Sequence, residues 1–288
     1  MTAASPYPVS MHRSRGDLAA DGLEEVWSSL GTLGESLAPA QFDLATECPG
    51  WTVKDQFSHV IGTELLLEGA GAPPTPGEPV AHVRNDLGAL NETFVEARRD
   101  LSGAAVVAEF VALADRRLDA LRDLDDEAWE VLGPSPIGMV PYVDYMGVRT
   151  FDSWVHEQDV RRAVARPGGR DGVGERVTLD RMEASMPYVL GRRVAPEPGT
   201  TFQLDVAGRM GRSVQLAVSL DRDGRRRAAA TPVIDGVPTA ALRLDQETFV
   251  RRACGRISAD EALGASATAA MGDRALVESF VDQMVVMV

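Results

Sequence analysis

Cysteine, histidine and lysine are scarce in this 288-residue chain. The two cysteines, Cys48 and Cys254, lie far apart in the sequence, which excludes a disulfide framework and points to a reducing compartment. Lys54 is the only lysine, and the arginines are spread along the chain, so no basic cluster offers itself to a phosphate backbone. Acids outnumber bases by 43 to 29, giving a formal charge of -14 and a pI near 4.8, so the average surface repels nucleic acid and anionic headgroups. No apolar run reaches the roughly 18 residues that span a bilayer. The opening "MTAASPYPVSMHRSRGD" lacks the apolar core of a signal peptide. These absences predict a cytoplasmic protein with neither a nucleic-acid nor a membrane partner.

What is present is a globular composition, 44% hydrophobic and 25% charged, long enough for two domains at roughly 150 residues each. A flexible tail is expected over residues 1–20. From Asp21, the spacing of Leu23, Val26, Leu30 and Leu33 predicts an amphipathic helix. After the Pro49-Gly50 turn, Thr52 and Asp55 fit a capping box opening a helix over 53–68. The breaker-rich "GAGAPPTPGEPVA" then suggests a mobile rim or lid, and two helical pieces follow between Asn85 and Leu124, joined near Ser102. "PSPIG" interrupts the pattern before a long helix over 139–165. Turn residues crowd at 166–175, where the domain boundary is placed, with a helical domain over 21–168 and a second domain over 175–288.

The second domain reads as a short helix over 179–190 followed by period-two alternation at Phe202, Leu204 and Val206 and again at Val214, Leu216, Val218 and Leu220. This predicts a meandering antiparallel sheet. Helices capped by Asp245 and Asp273 complete an α+β unit.

Candidate chemistry concentrates in "FDSWVHEQDVRR", residues 151–162. A helical wheel aligns Tyr142, Tyr145, Arg149, Asp152, His156 and Asp159 in one stripe, and Asp152 and His156, four apart, are close enough to share an ion. The same spacing also describes an ordinary surface pair. A zinc site needs a third ligand and, if catalytic, an open fourth position. Of the four histidines, His12 falls in the tail and His82 in the breaker-rich loop, leaving His59 as the candidate. The wheel sets His59 opposite Val53, Phe57 and Ile61, which favours exposure, whereas Leu65, Leu66 and Leu67 favour a helix buried on several sides.

Two segments, "ATECPGWTVKDQFSHVIGTE" and "DSWVHEQDVRRAVARPGG", resemble the signatures of the mycothiol-dependent maleylpyruvate isomerase family, in order, spacing and following domain. The resemblance implies a DinB-like four-helix bundle with a smaller sterol-carrier-like α+β domain behind it. It implies a divalent metal, usually zinc, on His59, Asp152 and His156; many relatives carry Glu or His where this chain has Asp152. It also implies mycothiol, the small thiol of actinobacteria, as cosubstrate for isomerisation or S-transfer of an electrophilic small molecule.

Arg149, one turn before Asp152, is expected either to contact an anionic substrate or to pair with Asp152, with Tyr145 beside it as a further substrate contact. In "RRACGR", Arg252 and Arg256 lie at a helix C-terminus that favours cations anyway, and Arg256 is the candidate for a catalytic contact from the second domain. Cys48, Cys254 and the four tryptophans are expected to be structural, and Glu64 an ordinary helix carboxylate in preference to a support behind the metal ligands. Two other functions fit the same residues: a non-catalytic carrier with a vestigial metal site, and a metal hydrolase.

Overall fold

The computed structural model describes residues 14–74, 80–232 and 236–287. His12 and the middle of the breaker-rich loop, residues 75–79, therefore lie outside the described residues.

The helical part consists of α1 (Arg15–Glu35), α2 (Val53–Leu67), α3 (Asp86–Glu96), α4 (Gly103–Arg122), the single turn α5 (Asp126–Trp129) and α6 (Tyr142–Ala163). The first helix starts inside the stretch expected to be a tail. Ser14 Oγ accepts from Asp17 N at 3.0 Å while Asp17 Oδ2 accepts from Ser14 N at 3.0 Å, a capping box that fixes the start six residues before Asp21. In α2, Asp55 Oδ2 accepts from Thr52 N and Oγ1 at 2.8 and 2.9 Å, the box expected from sequence. The long helix was expected from Met139. Instead β1 (Leu132–Ser135) and β2 (Gly138–Pro141) form a hairpin there, because the Pro-Ile-Gly turn and Pro141 bar helix until Tyr142.

Leu23, Trp27 and Leu30 of α1, Phe57 and Ile61 of α2, Phe110 of α4 and Met146 of α6 share one apolar core, the helical bundle. α7 (Val173–Tyr188) opens inside the 166–175 stretch, earlier than expected, and runs into a π-helical turn over Val189–Val194. Its first free amides, Val173 N and Gly174 N, are capped from α1 by the Glu25 carboxylate at 2.9 and 3.1 Å. Gly174 is required by proximity: a Cβ there would meet Val26 Cγ2 at 2.4 Å.

Behind α7 stands a sheet of β3 (Thr201–Ala207), β4 (Arg212–Leu220), β5 (Arg226–Thr231), β6 (Ala240–Asp245) and β7 (Ala269–Gly272), with α8 (Gln246–Ala253), α9 (Ala259–Gly264) and α10 (Arg274–Gln283). Its order is β5-β4-β3-β6-β7. The sheet is not a pure meander: β6 pairs with β3 in parallel, Leu204 opposite Leu242, while the other pairings are antiparallel. Local alternation fixes which side chains face inward but not which strand lies alongside, so this crossing could not be read from periodicity. The inward residues Phe202, Leu204, Leu216 and Leu242 meet Phe249 of α8, Phe280 of α10 and Leu179 and Met182 of α7. Val26, Trp154 and Val155 join this second core, so α1 and α6 are buried on two sides. Among the described residues no helix is long and apolar enough to cross a membrane.

Candidate metal centre

Because α6 is wedged between the bundle core and the second domain, its polar stripe faces inward. His59 on α2 and His156 on α6 are 4% and 3% exposed, and their rings stand 4.5 Å apart. Asp152 lies between them, with His59 Nε2 3.1 Å from its Oδ2 and His156 Nε2 3.5 Å from its Oδ1. One donor atom from each of the three residues lies within 4.8 Å of the others. The burial of His59 settles the two readings of its helical wheel.

The neighbours of the triad hold each group in place. Gln56, one turn before His59, sets Oε1 to accept from His156 Nδ1, which turns Nε2 of that ring toward Asp152. Trp51 lies over both imidazoles, at 5.1 and 5.8 Å between ring centres, and its Nε1 donates to Glu92 at 2.9 Å. The Cys-Pro-Gly-Trp turn thus has a physical purpose. Gly50, at φ +80°, takes the left-handed backbone that aims Trp51, and a Cβ would collide with His82 Nδ1 at 2.1 Å.

Behind Asp152 runs a buried chain of charge. Arg149 donates to Asp152 Oδ2 at 2.6 Å and to Glu64 Oε1 at 2.7 Å; Glu64 Oε2 accepts from Arg117 at 3.0 Å, and Arg117 donates to Tyr142 Oη at 3.0 Å. The Arg149–Asp152 pair is present as expected. Glu64, read from sequence as an ordinary helix carboxylate, is instead 2% exposed and joins two arginines. Its neighbour Arg117 lies 53 residues away on α4, so only a helix position as enclosed as that of Leu65–Leu67 hinted at it.

Electrostatics suit the three residues to a cation. Burial, aided by His156 and Arg149, lowers the pKa of His59 to about 4 against the pull of Asp152, so its imidazole is neutral at physiological pH. Burial pushes the Asp152 carboxyl up, but His59, Arg149 and His156 outweigh it and hold the group well below the usual range. Two imidazoles and a carboxylate are the donor types of a catalytic-type zinc site. Among the described residues, His59 Nδ1 and Arg149 Nη2 are buried without hydrogen-bond partners.

The triad forms part of the wall of a cleft of about 1340 Å³. Tyr145, Arg149, Cys48 and Trp51 line it from the bundle, Pro134–Ile137 from the hairpin, Arg181, Ser185 and Tyr188 from α7, and Arg256 from the second domain. Arg256 holds both oxygens of the buried Asp159, at 2.8 Å through Nη2, and donates Nη1 to the Cys254 carbonyl at 2.9 Å. Arg252 is buried and donates to the carbonyls of Val281, Ile257 and Asp282, a structural role. Burial drives the Cys48 thiol up to about 11, with Arg256 pulling the other way, so it is not poised as a nucleophile. Cys254, in the second core, is pushed to about 12. The residues singled out from the sequence, His59, Tyr145, Arg149, Asp152, His156 and Arg256, all line this one cleft.

A helical bundle that sets two histidines and an aspartate into a cleft closed by an α+β domain defines a class, a small-molecule protein with a candidate metal centre. Its family follows from the sequence. Residues 23–161 match the model of the mycothiol maleylpyruvate isomerase N-terminal domain, so this part of the chain is a domain of that family. The crystal structure of the mycothiol-dependent maleylpyruvate isomerase is similar over 89% of this chain and 91% of its own, with 20% identity and a TM-score of 0.51, and so shares the fold. A histidine-to-alanine variant of that enzyme covers the same shares at 19% identity and a TM-score of 0.48. No curated protein matches the sequence.

Proposed function

We propose that the chain is a metal-dependent thiol enzyme, in which His59, Asp152 and His156 hold a divalent ion, most simply zinc, and mycothiol is the cosubstrate. The carrying observation is the convergence of two imidazole Nε2 atoms and a carboxylate, within 4.8 Å, on the wall of an open cleft. When bound, zinc supplies Lewis acidity that keeps a thiol deprotonated at neutral pH.

The rest is done by the chain itself. Trp51 and Gln56 fix the imidazoles, and the Glu64–Arg149 pair fixes the Asp152 carboxylate, so the donors need no rearrangement. The electrophile rests on the apolar wall of Leu66, Leu90 and Val148. Arg149 Nη2, without a partner among the described residues, and the Tyr145 hydroxyl, one turn earlier on α6, serve as substrate donors where negative charge develops. Addition of the thiol sulfur to an activated double bond, rotation and elimination of the same thiol isomerise the substrate; displacement of a leaving group gives S-transfer. Arg256 brings the second domain to the cleft, and a direct catalytic contact from it would exchange substrate for Asp159. The two free cysteines agree with a cytoplasmic setting.

The test is turnover of a panel of activated alkenes and alkyl halides by the zinc-loaded chain, with and without mycothiol. Consumption that requires mycothiol supports the proposal. Consumption by water alone would make the protein a hydrolase, and a retained apolar ligand without turnover would make it a carrier.

A further inference from the structure

Four arginines face the cleft, and three of them are committed. Arg149 is shared by Glu64 and Asp152, and Arg256 is held by Asp159. Arg193 donates to the carbonyls of Gln283 and Val285 and lies over the Tyr188 ring at 5.6 Å. Arg181 of α7 differs. Its one hydrogen bond among the described residues is a long one, Nη1 to the Asp144 carbonyl at 3.5 Å, beyond good geometry. The neighbouring acid, Asp180, is taken by Arg212 at 2.7 Å. Burial lowers the Arg181 pKa against a pull from Asp144, whose carboxylate is held by Arg15 at 2.7 Å.

A half-buried guanidinium without an ion pair is out of place in a chain of 43 acids and 29 bases. Desolvating a cation is costly unless an anion meets it, and guanidinium presents paired donors shaped for a carboxylate. The position is also informative. Arg181 Nη1 lies 3.1 Å from where a Cβ on Gly147 would stand, so the guanidinium rests on the backbone of α6 five residues before Asp152. At about 1.5 Å per residue, that is roughly 7–8 Å along the helix from the triad.

We infer that Arg181 is the residue that receives the substrate's carboxylate in the cleft, holding it at α7 with the reacting carbon near the triad. This rests on the reading above that the cleft takes a small electrophile. It gives specificity to a residue outside the metal centre.

The test uses succinate and its neutral diamide as unreactive probes, titrated calorimetrically into the full chain, both zinc-loaded and metal-stripped. Wild type should bind succinate about tenfold more tightly than the diamide, Arg181→Gln should abolish that preference, and Arg181→Lys should restore most of it. Zinc content and the circular-dichroism spectrum should be the same in all three proteins. An unchanged preference in Arg181→Gln, or none in wild type, would overturn the inference. Because the contrast is expected with and without zinc, failure of zinc binding would count against the proposed function alone.

Discussion

In the second domain, Phe202, Leu204, Leu242, Phe249 and Phe280 fill the core, and buried Arg252 at its edge is satisfied by three backbone carbonyls. In the bundle, Phe57, Ile61 and Met146 pack beside a seam of buried Glu64, Arg117, Arg149, His59 and His156. Among the described residues the second domain keeps its buried charges, Arg252 and Glu175, apart and at the edge of its core, whereas the bundle joins its own into one chain beside the cleft. A buried ion pair is often no more stabilising than apolar residues of the same volume, so a fold that needed only stability would have no call for the seam. Perturbed groups gathered beside a cleft mark a functional site. The contrast separates what holds the molecule together from what it uses.

That separation can be broken experimentally. Phe280→Ala removes a ring stacked on Phe202 at 4.3 Å and should cost about 4 kcal/mol in urea unfolding, with the zinc affinity of the remaining folded protein unchanged. A parallel loss of zinc affinity would show that the cores are not independent. The two cysteines sample one region each. With the Cys48 thiol at about 11 against an ordinary value of 9.0, its thiolate below pH 9 should be about a hundredfold scarcer than that of a free thiol. Iodoacetamide labelling at pH 8 should be slowed accordingly and should rise until about pH 11. Rapid labelling at pH 8 would place a reactive thiolate in the cleft. Cys254 should label only on unfolding.

Within the seam, Glu64→Gln keeps the shape but weakens the hold on Arg149, and zinc affinity should fall about tenfold in a competition assay while far-ultraviolet circular dichroism stays the same. An unchanged affinity would make Glu64 a purely structural residue. The smallest effect belongs to Asp245, which caps α8 by accepting from Thr248 N at 2.9 Å. Asp245→Ala should cost about 1 kcal/mol in the same unfolding experiment, again without moving zinc affinity.

How far the sequence alone carries depends on the reach of each interaction. The α2 cap, the Asp245 cap and the inward faces of β3 and β4 are local, and their residues announce them. The Ser14–Asp17 box is equally local, written in "SRGD" within the stretch that reads as tail. The histidine–aspartate pair on α6 was visible as a spacing, and His59 joined it by scarcity and by resemblance. What stayed hidden is long-range: Glu64 meeting Arg117, Gln56 reaching His156 100 residues on, β6 lying parallel to β3, and Arg181 left without an acid. None of these leaves a periodic trace. Each depends on which elements the fold brings together.

The most direct test of the account is the zinc content of untagged protein, by mass spectrometry, in wild type, His59→Ala and His156→Ala, each confirmed folded by circular dichroism. The account predicts about one zinc per chain in wild type and its loss in both variants, as expected when a site of three protein ligands loses one. Zinc retained in the folded variants, or absent from wild type after reconstitution, would contradict it.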